Sequence, residues 1–188
     1  MDALLTAFVG AGLAEWGDRT MLFVVVLAAR FGRPLPILAG LTVAALINGA
    51  VASYGGVYIH DLVPTRALSL LVALAMIMAG AGSLLRRKPP NLAANWRTGA
   101  FVTAAVSLTL LEIGDKTQFL TFALAARFDS AALTLAGATA GILIANAPAA
   151  VLGSAIQKSV PVQPIRYAIG ALLLIAGFWI AVKALELA

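Results

Sequence analysis

Glu15-Trp16-Gly17-Asp18-Arg19-Thr20 lies inside the first hydrophobic run of the chain, and Glu112-Ile113-Gly114-Asp115-Lys116-Thr117 lies inside the fourth. Carried outward without a gap, the same alignment pairs Ala28-Ala29-Arg30-Phe31 with Ala125-Ala126-Arg127-Phe128, Leu38-Ala39-Gly40 with Leu135-Ala136-Gly137, and Thr42 with Thr139. After a short insertion, Pro64-Thr65-Arg66 falls opposite Pro164-Ile165-Arg166. Runs of Ala and Leu match by chance. A charged hexad followed at one fixed distance by Ala-Ala-Arg-Phe does not, so the chain reads as a duplicated unit.

The solvent of that unit follows from composition. Of 188 residues, 62% are hydrophobic and 11% charged, against about 25% charged in a soluble domain. So short a chain cannot hide this much apolar surface in one water-bathed core. A spanning helix needs about 20 mostly apolar residues, and six segments meet that need: Leu4–Arg30, Leu35–Ile59, Ala67–Leu85, Thr98–Arg127, Ala131–Ile156 and Ile165–Val182. Pro, Gly and charge punctuate them at Gly32-Arg33-Pro34, His60 to Pro64, Arg86 to Pro90, Asp129, and Pro161 to Pro164. In lipid the backbone must satisfy itself, so the segments are helices. The expected fold is an all-α polytopic membrane protein: a single membrane domain over 1–188, with a first three-helix repeat over 1–85, a basic cytoplasmic loop over 86–97 and a second repeat over 98–188. Met1-Asp2-Ala3 lacks a basic leader region, so the first run is expected to be a retained span.

Three spans per copy is an odd number, so the second copy must sit inverted relative to the first, as in many transporters. With the N-terminus outside, eight basic residues fall in inside loops (Arg30, Arg33, Arg86, Arg87, Lys88, Arg97, Lys158, Arg166) and three fall outside (Arg66, Arg127, Lys183). The bias predicts both termini on the periplasmic or extracellular side. The net charge of +5 is thereby topology signal, with no nucleic-acid partner implied. The partners expected are the bilayer, a divalent metal ion and protons, and a homo-oligomer stays open.

Of eight acidic residues, four (Glu15, Asp18, Glu112 and Asp115) lie mid-span beside Arg19 and Lys116. One charge at the bilayer centre costs about 2.5–3.5 kcal/mol on insertion scales, so the six must face the bundle interior, pair, or meet ions. Spacings of three and four put each pair of acids on one helix face with a cation. Gly17 and Gly114 permit close approach of another helix, or a local loosening that frees carbonyl oxygens. Four carboxylates less two cations leave two negative charges, which complement one divalent ion. Hard oxygen ligands suit Mg, Ca and Mn, and the chain has no cysteine and one peripheral histidine, His60. Carboxylates left facing one another in a poorly solvated pocket attract protons, so metal and proton compete for the same oxygens. Thr20, Thr117, Gln118, Asn48 and Asn146 are supporting candidates, as ligands or as interhelical hydrogen bonders. Gly137 with Gly141, and Gly40 with Ala44, read as close-packing positions, and Trp96 and Trp179 as interface anchors.

The paired hexads resemble the E-x-G-D-[KR]-[ST] signatures of the Gdt-type family of divalent-cation/proton antiporters, which includes the MneA-type bacterial manganese exporters. The resemblance covers essentially the whole chain. It implies export of Mn²⁺, or Ca²⁺ next, from the cytoplasm in exchange for protons, with Glu15, Asp18, Glu112 and Asp115 as metal ligands. The metal is then cargo, and no resident cofactor is implied. The short basic centre of the chain departs from the acidic loop of eukaryotic members and points to a bacterial plasma membrane. The alternatives are a passive cation channel using the same acids, an exporter of small organic solutes, and an assembly factor in which the hexads are structural. An enzyme is disfavoured, since no Ser-His-Asp set, phosphate-binding Gly loop or Cys-His set is present.

Overall fold

The computed structural model describes residues 1–85, 90, 92, 96–156 and 160–186. Every regular element among them is helical. In chain order these are α1 (Asp2–Glu15), α2 (Arg19–Phe31), α3 (Pro34–His60), α4 (Thr65–Leu84), α5 (Ala100–Glu112), α6 (Lys116–Phe128), α7 (Ala131–Leu152), a 3₁₀ turn (Gly153–Ala155) and α8 (Val162–Ala184). Among the described residues, four helical segments are long and apolar enough to cross a membrane: Pro34–His60, Thr65–Leu84, Ala131–Ala155 and Val162–Ala184.

The first run of each half departs from the continuous spans expected over Leu4–Arg30 and Thr98–Arg127. Each is two half-helices, parted at Trp16–Asp18 and at Ile113–Asp115. The cause is local. Gly17 and Gly114 take φ of 69° and 70°, a left-handed conformation open to glycine at little cost and incompatible with a continuing α-helix. Both half-helices of a run still lie along one long helix of the other half: α1 and α2 pack on α7, while α5 and α6 pack on α3. α4 and α8 pair with each other.

Small residues make these approaches possible. A Cβ on Gly137 would lie 2.2 Å from the Leu4 carbonyl oxygen, and one on Gly141 2.3 Å from that of Phe8. One on Gly40 would lie 2.7 Å from the Phe101 carbonyl oxygen. The expected close-packing glycines are therefore where α7 meets α1 and where α3 meets α5. The core between the halves holds Ala7, Ala11 and Phe23 beside Leu41, Leu108 and Leu124, all buried.

One charge is not where the loop assignment put it. Arg166, expected among the inside-loop cations, is a buried residue of α8. The basic run Arg86-Arg87-Lys88, and Lys158, lie outside the described residues.

Candidate cation site

Each hexad folds into the same device. α1 ends on Glu15, a kink at Trp16-Gly17 follows, and Asp18 stands at the N-cap of α2. In the second half α5 ends on Glu112, and Asp115 stands at the N-cap of α6. The kinks are satisfied internally. Asp18 N–H donates to the Glu15 carbonyl and Asp115 N–H to the Glu112 carbonyl, both at 3.1 Å. Gly17 N–H donates to Met21 Sδ at 3.1 Å, whereas Gly114 N–H donates to Gln118 Oε1 at 2.7 Å. A carboxylate at a helix N-terminus meets the positive end of the helix dipole, and a helix C-terminus presents carbonyls to a cation. Each break offers both ends at once.

The two devices are cross-wired. Arg19 of the first hexad donates to Asp115 Oδ1 of the second at 2.7 Å. Lys116 of the second reaches back and pairs with Asp18 Oδ2 of the first. The same ammonium donates to the Ala14 carbonyl oxygen at 2.6 Å and lies 3.9 Å from Asp115 Oδ2. Thr117 Oγ1 donates to Glu15 Oε1 at 2.6 Å. The pairs differ in setting: the Arg19 side chain is 39% exposed, that of Lys116 only 6%.

Three of the four expected carboxylates converge. One oxygen each from Glu15, Asp18 and Asp115 lies within 4.8 Å of the others. Calcium–oxygen distances run to about 2.6 Å, so oxygens on opposite sides of one ion stand about 5 Å apart, and a single hard cation can reach all three. Glu112 is not in that group. It is buried nearby, against a small cavity of about 10 Å³ lined also by Asn48, Asp115, Thr117, Gln118 and Ile142, enough for about one water-sized sphere. Glu15 Oε2, Glu112 Oε1 and Asp115 Oδ2 are buried with no hydrogen-bond partner among the described residues. Buried oxygens of this kind call for a proton or a cation.

The supporting candidates divide. Asn48 joins the site: its Nδ2 donates to the Ala44 and Thr109 carbonyls, each at 3.2 Å, and Gln118 Nε2 lies 3.4 Å from its Oδ1. Thr20 is buried in the first turn of α2. Asn146 is buried and donates to the Ile142 carbonyl in its own helix at 2.9 Å; no contact to the three carboxylates is described for it. His60 lies at the end of α3 against the Ala126 carbonyl, apart from the acids. A crevice of about 690 Å³ between α3, α4 and α6, lined by Val51, Gly55, Met78 and Phe122, reaches Gly114, Asp115 and Gln118.

Sequence reasoning passed over three contributors. Met21 sits opposite Gln118 in the repeat alignment, which is the signal for its role at the kink. The Ala14 carbonyl carries no side-chain signal at all. Arg166, whose Nη1 is 3.4 Å from the Gly17 carbonyl oxygen, was masked by its place beside Pro161 and Pro164, which suggested a loop.

Comparison with known proteins accords with this geometry. The profile of the family described as "Divalent cation/proton antiporter GDT1" matches residues 3–90 and again 100–188. A Vibrio cholerae protein named "Putative manganese exporter" is 31% identical over 167 residues, covering 88% of this chain and 84% of that protein. No solved structure matches. The chain therefore belongs to the GDT1 family of divalent cation/proton antiporters, and it is a multi-pass membrane transporter rather than an enzyme.

Proposed function

We propose that the chain exports a divalent cation from the cytoplasm in exchange for protons, with Mn²⁺ as the leading substrate and Ca²⁺ next. The observation that carries this reading is the convergence of Glu15, Asp18 and Asp115 from both halves on one small volume, where a lysine ammonium already occupies a cation's position. An entering divalent ion displaces Lys116 and takes over its oxygens. When the ion leaves, protons and the ammonium refill the pocket. The similarity to a relative named for manganese export and the wholly oxygen-based donor set favour manganese over softer metals.

In this reading the chain is six spans arranged as two inverted repeats, the first span of each broken at its hexad. The exchanged packing of α1 on α7 and α5 on α3, and the separate matching of the family profile to each half, support it. Both termini lie outside the cytoplasm of a bacterial plasma membrane. Glu112 completes the ligand set when the halves trade roles.

The test is purified protein in proteoliposomes carrying a luminal pH dye, challenged with Mn²⁺, Ca²⁺ and Mg²⁺. Proton movement that saturates with Mn²⁺ and is lost in Glu15→Gln is the expected result. Metal flux without proton movement would instead make the protein a channel.

A further inference from the structure

The two glycine kinks have nearly the same backbone and different surroundings. At Gly114 a built Cβ meets nothing within 4 Å among the described residues, and the crevice reaches this kink. At Gly17 it would meet Arg166 Cδ at 3.1 Å, Arg166 Cβ at 3.2 Å and Val162 Cγ1 at 3.2 Å. The first kink is thus roofed by the start of α8, and the second is bare. Arg66, the counterpart of Arg166 in the repeat alignment, lies exposed and donates to the Leu185 carbonyl at 2.9 Å, away from Gly114.

Arg166 is an unusual residue for its position. It is buried inside an apolar helix. Its described contacts are the Gly17 carbonyl at 3.4 Å and the face of the Tyr167 ring at 5.3 Å, and its Nε has no partner among the described residues. No carboxylate ion pair is described for it. An arginine held this way within a membrane bundle is costly and calls for a functional reason. Hydrogen bonding to a carbonyl freed by the break gives one, because that carbonyl belongs to Gly17, the residue just before Asp18.

We propose that Arg166 is a positioning residue: it holds the first hexad's kink shut through the Gly17 carbonyl and sets a fixed positive charge beside that hexad while the second kink stands open. The guanidinium does two things from this place. Its stem covers Gly17, so the first kink is unreachable until α8 moves. Its charge opposes a cation at the first hexad and lowers affinity there, which favours release. The two halves are therefore non-equivalent in this state, for a reason that lies outside the hexads.

The chain has no cysteine, so single reporters can be placed without a prior replacement. Val162→Cys reports on the roofed kink and Val51→Cys on the crevice. Labelling by a small hydrophilic methanethiosulfonate reagent in metal-free membranes is expected to be slow at Val162→Cys and fast at Val51→Cys, where the native side chain is 66% exposed. Adding Arg166→Gln should speed the first roughly three- to tenfold and leave the second unchanged. Arg166→Lys should give an intermediate rate, and it guards against loss of the Gln variant to misfolding. Equal labelling of Val162→Cys with Arg, Lys or Gln at 166, in protein of normal membrane yield, overturns the proposal. The transport arm rests on the exchange reading above. Arg166→Gln is expected to lower KM for Mn²⁺ and kcat together, with Arg166→Lys restoring both in part. A fall in kcat with KM unmoved would mark a merely structural arginine. The labelling arm needs no metal flux, so the gate and the exchange reading fail separately.

Discussion

Glu15 has one carboxylate oxygen held by Thr117 and the other without a hydrogen-bond partner among the described residues. It is fully buried at the end of a half-helix, which makes it the ligand most dependent on its charge. Glu15→Gln keeps the shape and is expected to cut metal-driven proton exchange at least about 100-fold with normal membrane insertion, read in proteoliposomes against a quantified immunoblot. The two basic residues should behave unequally. Arg19→Ala removes a side chain that is 39% exposed and leaves Lys116 3.9 Å from Asp115, so the thermal midpoint in detergent should fall less than on loss of Lys116. Lys116→Met strips the ammonium from Asp18 and the Ala14 carbonyl, and breaking a buried pair costs about 3–5 kcal/mol. If a divalent ion occupies the same place, saturating Mn²⁺ should raise the midpoint of Lys116→Met by more than it raises that of the unsubstituted protein, as linkage requires of a ligand binding only the folded state. Equal shifts in a scanning fluorimetry titration would show that the ammonium and the metal do not share a position.

At the scale of elements, stability rests on glycines that bring helices into backbone contact. Gly137→Ala would force a carbon within 2.2 Å of the Leu4 carbonyl oxygen, so α1 must move off α7. Overpacking of this kind costs about 1–3 kcal/mol, or a fall of a few degrees in thermal midpoint for a chain of this size. Gly99→Ala, which meets nothing within 4 Å, is the control and should leave the midpoint in place. Much of this layer was legible beforehand. Hydropathy marked the long helices, and the alignment of Gly40 with Gly137 marked the contact positions. The interruptions at Gly17 and Gly114 were legible only as an option, because a glycine in an apolar run serves equally well for close packing and for a kink. Which one prevails depends on partners for the freed backbone groups: Met21 and Gln118 stand four residues on, in the next half-helix, but Lys116 reaches the Ala14 carbonyl from the other half of the chain. Arg166 was illegible for another reason: a cation two residues after Pro164 suggests the edge of a loop until α8 is seen to start at Val162.

At the scale of the whole molecule, Glu112 separates two kinds of defect. It lies outside the three-oxygen group that Glu15 joins, against the neighbouring cavity. If the halves exchange roles during transport, Glu112→Gln should leave Mn²⁺ binding by calorimetry within about threefold of the unsubstituted protein while turnover falls more than tenfold. Glu15→Gln should lose binding itself. Equal loss of binding in both would mean that all four acids hold the ion together in a single state.

The crossed ion pairs carry a consequence for how such a chain can be assembled. Arg19 neutralises an acid of the opposite half, and Lys116 does the same in return, so each half draws on the other to balance its buried charge. A severed N-terminal fragment would carry Asp18 into lipid without Lys116, and the C-terminal fragment would carry Asp115 in without Arg19. Produced singly, each should be cleared by quality-control proteolysis; produced together from two open reading frames, they should rescue one another and restore metal tolerance. Mutual dependence of this sort also selects for fusion of the two genes, since a linked pair is always made in equal amounts.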